Sequence, residues 1–122
     1  MTYDNNNVFA KMLRKEIPVD FIYENDYALA FYDINPQKKL HILIIPKGAY
    51  SDIYDFTKNA SAEEQLGLNQ AIVDIVEDKG MAEEGFRLIS NCKGYGGQEV
   101  PHLHFHLLGG ENVGPLLASS AS

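Results

Sequence analysis

The sequence predicts an α+β fold built on a five-stranded antiparallel sheet with two helices, and three observations predict it. Strand-like runs follow one another rather than alternating with helices, which favours antiparallel pairing over βαβ crossovers. One segment combines a helix-start signal with an apolar stripe of helical period. The stretch "VPHLHFHLLGG" (100–110) alternates histidine with apolar residues, the two-residue period of a strand.

Length and composition bound the answer. A chain of 122 residues is read as one domain, with a core over about 8–117 and a short polar tail. Such a chain buries roughly two-thirds of its unfolded surface. Its hydrophobic share of 45% is that of an ordinary globular protein. The leading "MTYDNNNVFA" has no basic region followed by an apolar run, so no secretory signal is expected. "LHILIIP" is too short to span a membrane, which argues against a membrane partner. A single cysteine, Cys92, excludes an internal disulfide framework and suits a reducing, cytoplasmic location. The net charge of −7 argues against a nucleic-acid partner. Residues 61–85 hold seven acids against Lys79 alone, so the rest of the chain is close to neutral and can receive a small anion.

The elements follow in order. "VFAKMLRK" (8–15) sets Phe9, Met12 and Leu13 at helical spacing, and Ile17-Pro18 ends it. Lys11, Arg14 and Lys15 form its solvated side. "FIYEN" (21–25) and "YALAFYD" (27–33) read as a hairpin around Asp26. "INPQKK" is a loop, and "LHILIIP" (40–46) a third strand closed by Pro46. Ser61 with Glu64 three residues on makes a capping box for a helix over 61–79. Leu68, Ile72, Ile75 and Val76 are its buried stripe, and Gly80 its stop. "FRLISNC" (86–92) and "VPHLHFHLL" (100–108) complete the sheet, with "KGYGGQE" between them.

Three of the four histidines occupy the last strand. Side chains alternate across a strand, so His102, His104 and His106 share one face while Leu103, Phe105 and Leu107 take the other. Zinc is one explanation, because two histidines two apart can share a metal, with His41 as a further imidazole. All three cannot converge easily, since strand rise puts the first and third backbones roughly 13 Å apart. An elongated anion suits the row better, each imidazole meeting a different part of it. The adjacent Gly94, Gly96 and Gly97 permit positive φ and close backbone approach, so N–H groups can converge on phosphate oxygens. The sequence is therefore read with no metal and no required cofactor. A nucleophilic imidazole must be neutral, with its second nitrogen donating to a fixed acceptor. The central histidine, His104, suits that role. No G-x-S-x-G surrounds a serine, and Cys92 reads as a small core residue in its strand.

These residues resemble the histidine triad (HIT) family, whose signature of histidines alternating with apolar residues stands complete at His102 to Leu108. Further stretches are similar to its Hint branch, above all the bacterial members: "KEIP" (15–18), "AFYDINPQ" (30–37), "HILIIPK" (41–47), "GGQEV" (96–100) and the closing "LLGG" and "GPLLA". The resemblance spans residues 8 to about 117. It implies a HIT-like, homodimeric, nucleotide-binding hydrolase that cleaves purine nucleoside phosphoramidates through a nucleotidyl-histidine. It also implies that His104 is the nucleophile, that His102 and His106 are its companions and that His41 completes an imidazole cluster. By the same resemblance Asp33 binds the ribose hydroxyls, and Phe9, Ile17, Phe31 and Ile34 form a purine slot. Asn91, Gly97, Gln98, Glu99 and Val100 match the α-phosphate contacts.

Two features depart from relatives. Glu99 stands where many eukaryotic members carry a hydroxyl, so its carboxylate is expected to point away from the phosphate or to meet a cationic amine. The chain has no Trp, although some relatives bring a C-terminal aromatic to the partner's site. The rival readings are a dinucleoside polyphosphate hydrolase and a non-catalytic purine nucleotide sensor or scaffold. The expected dimer is two-fold symmetric, with residues near 86–108 and the 61–79 helix meeting their copies and "VGPLLA" approaching the partner's pocket. Leu66 and Val73, displaced from the buried stripe, widen the apolar arc of that helix.

Overall fold

The computed structural model of the chain describes residues 3–117. Residues 1–2 and 118–122, including the last residue of the "VGPLLA" segment, lie outside the described residues. The elements are α1 (Val8–Leu13), β1 (Phe21–Glu24), β2 (Ala28–Tyr32), β3 (Leu40–Pro46), α2 (Ile53–Asn59), α3 (Ala62–Asp78), β4 (Arg87–Ile89), α4 (Lys93–Gly96) and β5 (Phe105–Gly109). The strands form one sheet in the order β1-β2-β3-β5-β4, with every neighbouring pair antiparallel.

β3 is central and buried along almost its whole length, which explains its uninterrupted apolar run. Ile42 and Ile44 face α3, where Ala28, Ala30, Phe56, Leu68, Ala71, Ile75, Leu103 and Leu107 complete the larger core. Leu43 and Ile45 face the other way, into a smaller core with Phe9, Leu29 and Phe31. Full burial of one such side chain stabilises by roughly 1.5–3 kcal/mol, so both layers hold the sheet. The capping box at Ser61 and Glu64 forms as expected and starts α3. Gly67 is required by packing: a Cβ there would lie 2.5 Å from the Tyr27 ring, so only glycine lets α3 sit this close to the β1–β2 hairpin.

The hairpin turns on Asn25, whose side-chain oxygen accepts from the N–H groups of Tyr27 and Ala28. Among the described residues four helices form rather than two. The first added one, α2, is capped by Asp52, whose Oδ1 accepts from Asp55 N–H at 2.8 Å, and is anchored by buried Phe56. The second, α4, is one turn cut from the glycine-rich stretch and closed by left-handed Gly97 at φ 76°.

The last two strands are shorter than expected. β5 begins at Phe105, because Pro101 has no N–H and the His102 N–H turns back to Val100 O at 2.9 Å. Leu103 N–H then bonds Tyr50 O at 2.8 Å, outside any ladder. The alternation of faces nevertheless survives: Leu103 and Leu107 are fully buried in the larger core, opposite the histidines. Cys92 also lies outside a strand, half-buried at the N-terminal end of α4. On α3, Leu66 is 70% and Val73 49% exposed, off the buried stripe. The segment after β5 folds back on its own chain, where Arg87 donates to Gly114 O and Pro115 O.

Candidate active site

The site lies on the face of the sheet carrying the smaller core, where β3 and β5 run side by side. Leu43 pairs with His106 and His41 with Leu108 across the ladder, so the His41 and His106 rings stand on adjacent strands of one face. Four imidazoles meet there, and their partners define the ring protons.

His102 is fully buried. Its Nε2–H donates to Pro46 O at 2.9 Å, because a carbonyl can only accept. That leaves Nδ1 as the acceptor for Tyr3 O–H at 2.5 Å. Burial pushes the His102 imidazolium down to about 4, so the ring is neutral at pH 7. His104, 7% exposed, donates its Nδ1–H to the backbone O of His102 at 2.8 Å. Its Nε2 therefore keeps the lone pair. The Phe9 ring meets the His104 ring edge-on at 5.0 Å and fixes its plane.

The second pair is a relay. Gln37 N–H donates to His41 Nδ1 at 3.1 Å, so His41 carries its proton on Nε2 and donates to His106 Nδ1 at 2.9 Å. His106 then presents Nε2–H. Burial holds both rings below the ordinary histidine value, and the Asp33 carboxylate opposes that shift in each. Asp33 Oδ2 lies 3.5 Å from His41 Nε2, and its Oδ1 accepts from Asn35 N–H at 2.8 Å.

A cleft of about 260 Å³ opens over these rings, lined by Phe9, Asp33, Leu43, Asn91, Gly97, Glu99, Val100, His104 and His106. It is not the roomiest depression: a groove of about 450 Å³ beside Lys79, Glu84 and Glu111 is larger, yet no imidazole lines it. Chemistry rather than volume selects the smaller one. Asp33, His41 and His106 also offer one ligand atom each within 4.8 Å of one another. The two ring nitrogens face each other across a hydrogen bond there, so a metal would have to separate them first.

Most of the expected residues converge. His41 and His102 stand behind the rings that line the cleft, and Phe31 is buried behind Phe9 at 5.7 Å. Three do not reach it. Ile34 is 92% exposed. Ile17 belongs to a separate groove with Met12, Pro18 and Phe21. Gln98 supports the loop instead: its amide donates to Ser51 O at 2.6 Å and Val100 O at 2.9 Å, and its Oε1 accepts from Lys93 N–H.

Lys93 adopts the left-handed φ of 57°, and its ammonium lies 2.9 Å from buried Asp52. The glycine-rich turn spends the N–H groups of Gly97 and Gln98 on its own closure. Those of Glu99 and Val100 have no backbone partner among the described residues, and both residues line the cleft. Leu43 was not anticipated in the lining, although it stands two residues after His41 on the same strand face. Neither were Tyr3 and Gln37, whose contacts span the fold or a turn.

Residues 14–113 match the HIT domain family. The chain belongs to the HIT family. It is 46% identical over 114 residues to the purine nucleoside phosphoramidase of Escherichia coli (strain K12), covering 91% of this chain and 92% of that one. It is 51% identical over 116 residues to a 13.2 kDa HIT-like protein of Azospirillum brasilense, covering 95% of each. Among solved structures, a HIT family hydrolase from Clostridium thermocellum superposes with a TM-score of 0.83 at 40% identity, covering 94% of this chain and 99% of that one. A histidine triad protein from Clostridium difficile gives a TM-score of 0.80 at 37% identity, covering 93% and 98%. The five-stranded antiparallel α+β architecture is thus the HIT fold.

Proposed function

We propose that this HIT protein hydrolyses the P–N bond of purine nucleoside 5′-phosphoramidates through a nucleotidyl intermediate on His104. One observation carries the reading: the Nδ1–H of His104 is fixed on the His102 carbonyl, so the unprotonated nitrogen of a cleft-lining ring is Nε2. The likeness to the Escherichia coli phosphoramidase supports the reaction class.

In this scheme Nε2 attacks phosphorus, and the positive charge that forms on the ring is met by the His102 carbonyl. The P–N bond breaks, and the leaving nitrogen takes a proton from a water held on His106 Nε2–H, with His41 fixing that ring from behind. The hydroxide that remains attacks the phosphoryl-histidine, its oxygen stays on phosphorus, and His104 departs neutral. Asp33 binds the ribose hydroxyls, Phe9 packs on the purine and Glu99 meets the amine. No step draws on a metal. We further propose a two-fold homodimer, for which the exposed Leu66 and Val73 offer an apolar surface.

Adenosine 5′-phosphoramidate, with and without a chelator, tests the reaction. Turnover to AMP that the chelator leaves unchanged is expected. Loss of turnover in chelator would replace the relay by a metal at Asp33, His41 and His106, and tight AMP binding without turnover would favour the sensor reading. Light scattering on the same preparation should give about twice 13.6 kDa; a mass near that of one chain would remove the dimer.

A further inference from the structure

Residues 3–9 precede the stretch that matches the HIT domain, which begins at residue 14, yet they touch two of the three triad rings. Tyr3 O–H donates to His102 Nδ1 at 2.5 Å, and the two rings meet edge-on at 5.7 Å. Asn7 Nδ2 donates to Tyr3 Oη at 2.9 Å and to Asp4 O at 2.8 Å. Asn7 Oδ1 accepts from Ala10 N–H at 2.8 Å, capping the helix that carries Phe9. One buried asparagine therefore fixes both ends of a strap, Tyr3 on His102 and Phe9 on His104.

We infer that Tyr3, backed by Asn7, is a positioning residue for the nucleophile. The inference rests on the reading of His104 given above and adds where its alignment comes from. His102 sits at a bend, with Val100 O receiving its N–H and Tyr50 O receiving the next, so no ladder fixes its backbone there. Its ring does so instead, pinned at Nε2 by Pro46 O and at Nδ1 by Tyr3. With the ring held at both nitrogens, the His102 carbonyl is held toward His104 Nδ1. Removing the Tyr3 hydroxyl leaves a fully buried acceptor unpaired, which invites ring reorientation or a water. The carbonyl that selects the His104 tautomer then loses its fixed direction.

Tyr3→Phe separates positioning from packing, because it keeps the ring and deletes only the hydroxyl. At a temperature where circular dichroism shows both proteins folded, kcat for adenosine 5′-phosphoramidate should fall on the order of tenfold, as when outer partners of reacting groups are removed. KM and AMP affinity should stay within about twofold, because Tyr3 does not line the cleft. Nitrogen-15 NMR of the ligand-free protein gives a readout independent of turnover. Wild type should show His104 protonated at Nδ1 alone, and Tyr3→Phe a mixture of tautomers. Asn7→Ser, which keeps a helix cap but loses the amide donor, should shift both readouts the same way by a smaller amount. A Tyr3→Phe protein with unchanged kcat and an unchanged His104 spectrum would overturn the inference. A wild-type protein that shows the expected spectrum but does not turn over would sink the proposed reaction and leave the strap standing.

Discussion

The two faces of the segment 102–107 do opposite work with alternate residues. Leu103 and Leu107 are fully buried against α3 in a layer of aliphatic and aromatic side chains that demand only shape. His102, His104 and His106 stand on the other face, where four of the six ring nitrogens are committed to a partner and the two left, Nε2 of His104 and Nε2–H of His106, define the chemistry. On the first face any apolar residue of the right volume serves, because dispersion and burial are non-directional. On the second, a ring turned over loses its hydrogen bonds, two at His102 and one each at His104 and His106. The difference teaches that the core can be read by pattern, whereas the site has to be read by partners.

The largest effect expected separates the faces. His104→Ala should lower kcat by on the order of 10³-fold or more, as removal of other covalent nucleophiles does. Binding of AMP should persist through the remaining cleft residues. Leu107→Ala should instead cost about 2–5 kcal/mol of stability by opening a cavity under β5, while the protein that remains folded keeps its turnover. Urea unfolding and steady-state kinetics on both variants check this. If Leu107→Ala, still folded, loses as much kcat as His104→Ala, the faces are not separable.

The apolar face was legible because it rests on periodicity. β3 was placed residue for residue, and of the α3 stripe Leu68, Ile72, Ile75 and Val76 all are buried except Ile72, which is partly buried against the same core. The site was legible only in part. The histidine row is a local signal, but its conversion at Pro101 into a bend followed by a short strand depends on where Tyr50 O lies. The two added helices were missed because α2 offers one buried anchor, Phe56, and α4 is a single turn. The resemblance alone named Asp33 and Asn91, which the fold brings to the cleft, and Ile34 and Ile17, of which the first is exposed and the second lines a different groove. Tyr3 and Gln37 had no signal in spacing, since one bonds a ring 99 residues away and the other offers only its backbone N–H.

The second prediction sharpens the contrast through protons, which only the histidine face can bind. His102 keeps a folded-state value near 4 against 6.5 when exposed, so below pH 6.5 the unfolded chain takes up the proton first. Its contribution is fully present above about pH 6.5 and is lost as pH falls through 4, amounting to roughly 3 kcal/mol in all and about 2 kcal/mol by pH 5. His41 and His106, also held low by burial, act in the same direction. Urea unfolding at pH 7 and pH 5 should show the drop, and His102→Asn should flatten the slope. Equal stability at both pH values would mean that these rings protonate as readily folded as unfolded.

The smallest effect tests whether the histidine face reaches beyond its rings to the sugar. Asp33 follows directly on β2 with one carboxylate oxygen on Asn35 N–H and the other near His41, so part of its role is local. Replacing it with alanine would remove that turn contact for every ligand alike. A ribose hydroxyl donating to the carboxylate adds a loss that only ribonucleotides feel. Hydrogen bonds to a charged group are worth roughly 1.5–3 kcal/mol, so Asp33→Ala should weaken AMP binding by about thirty-fold. A 2′,3′-dideoxy analogue, having no hydroxyl to offer, should bind both proteins within about threefold. Isothermal titration with the two ligands measures the difference directly. Equal losses for AMP and its dideoxy analogue would assign Asp33 to the turn and to His41, and the ribose would need another partner.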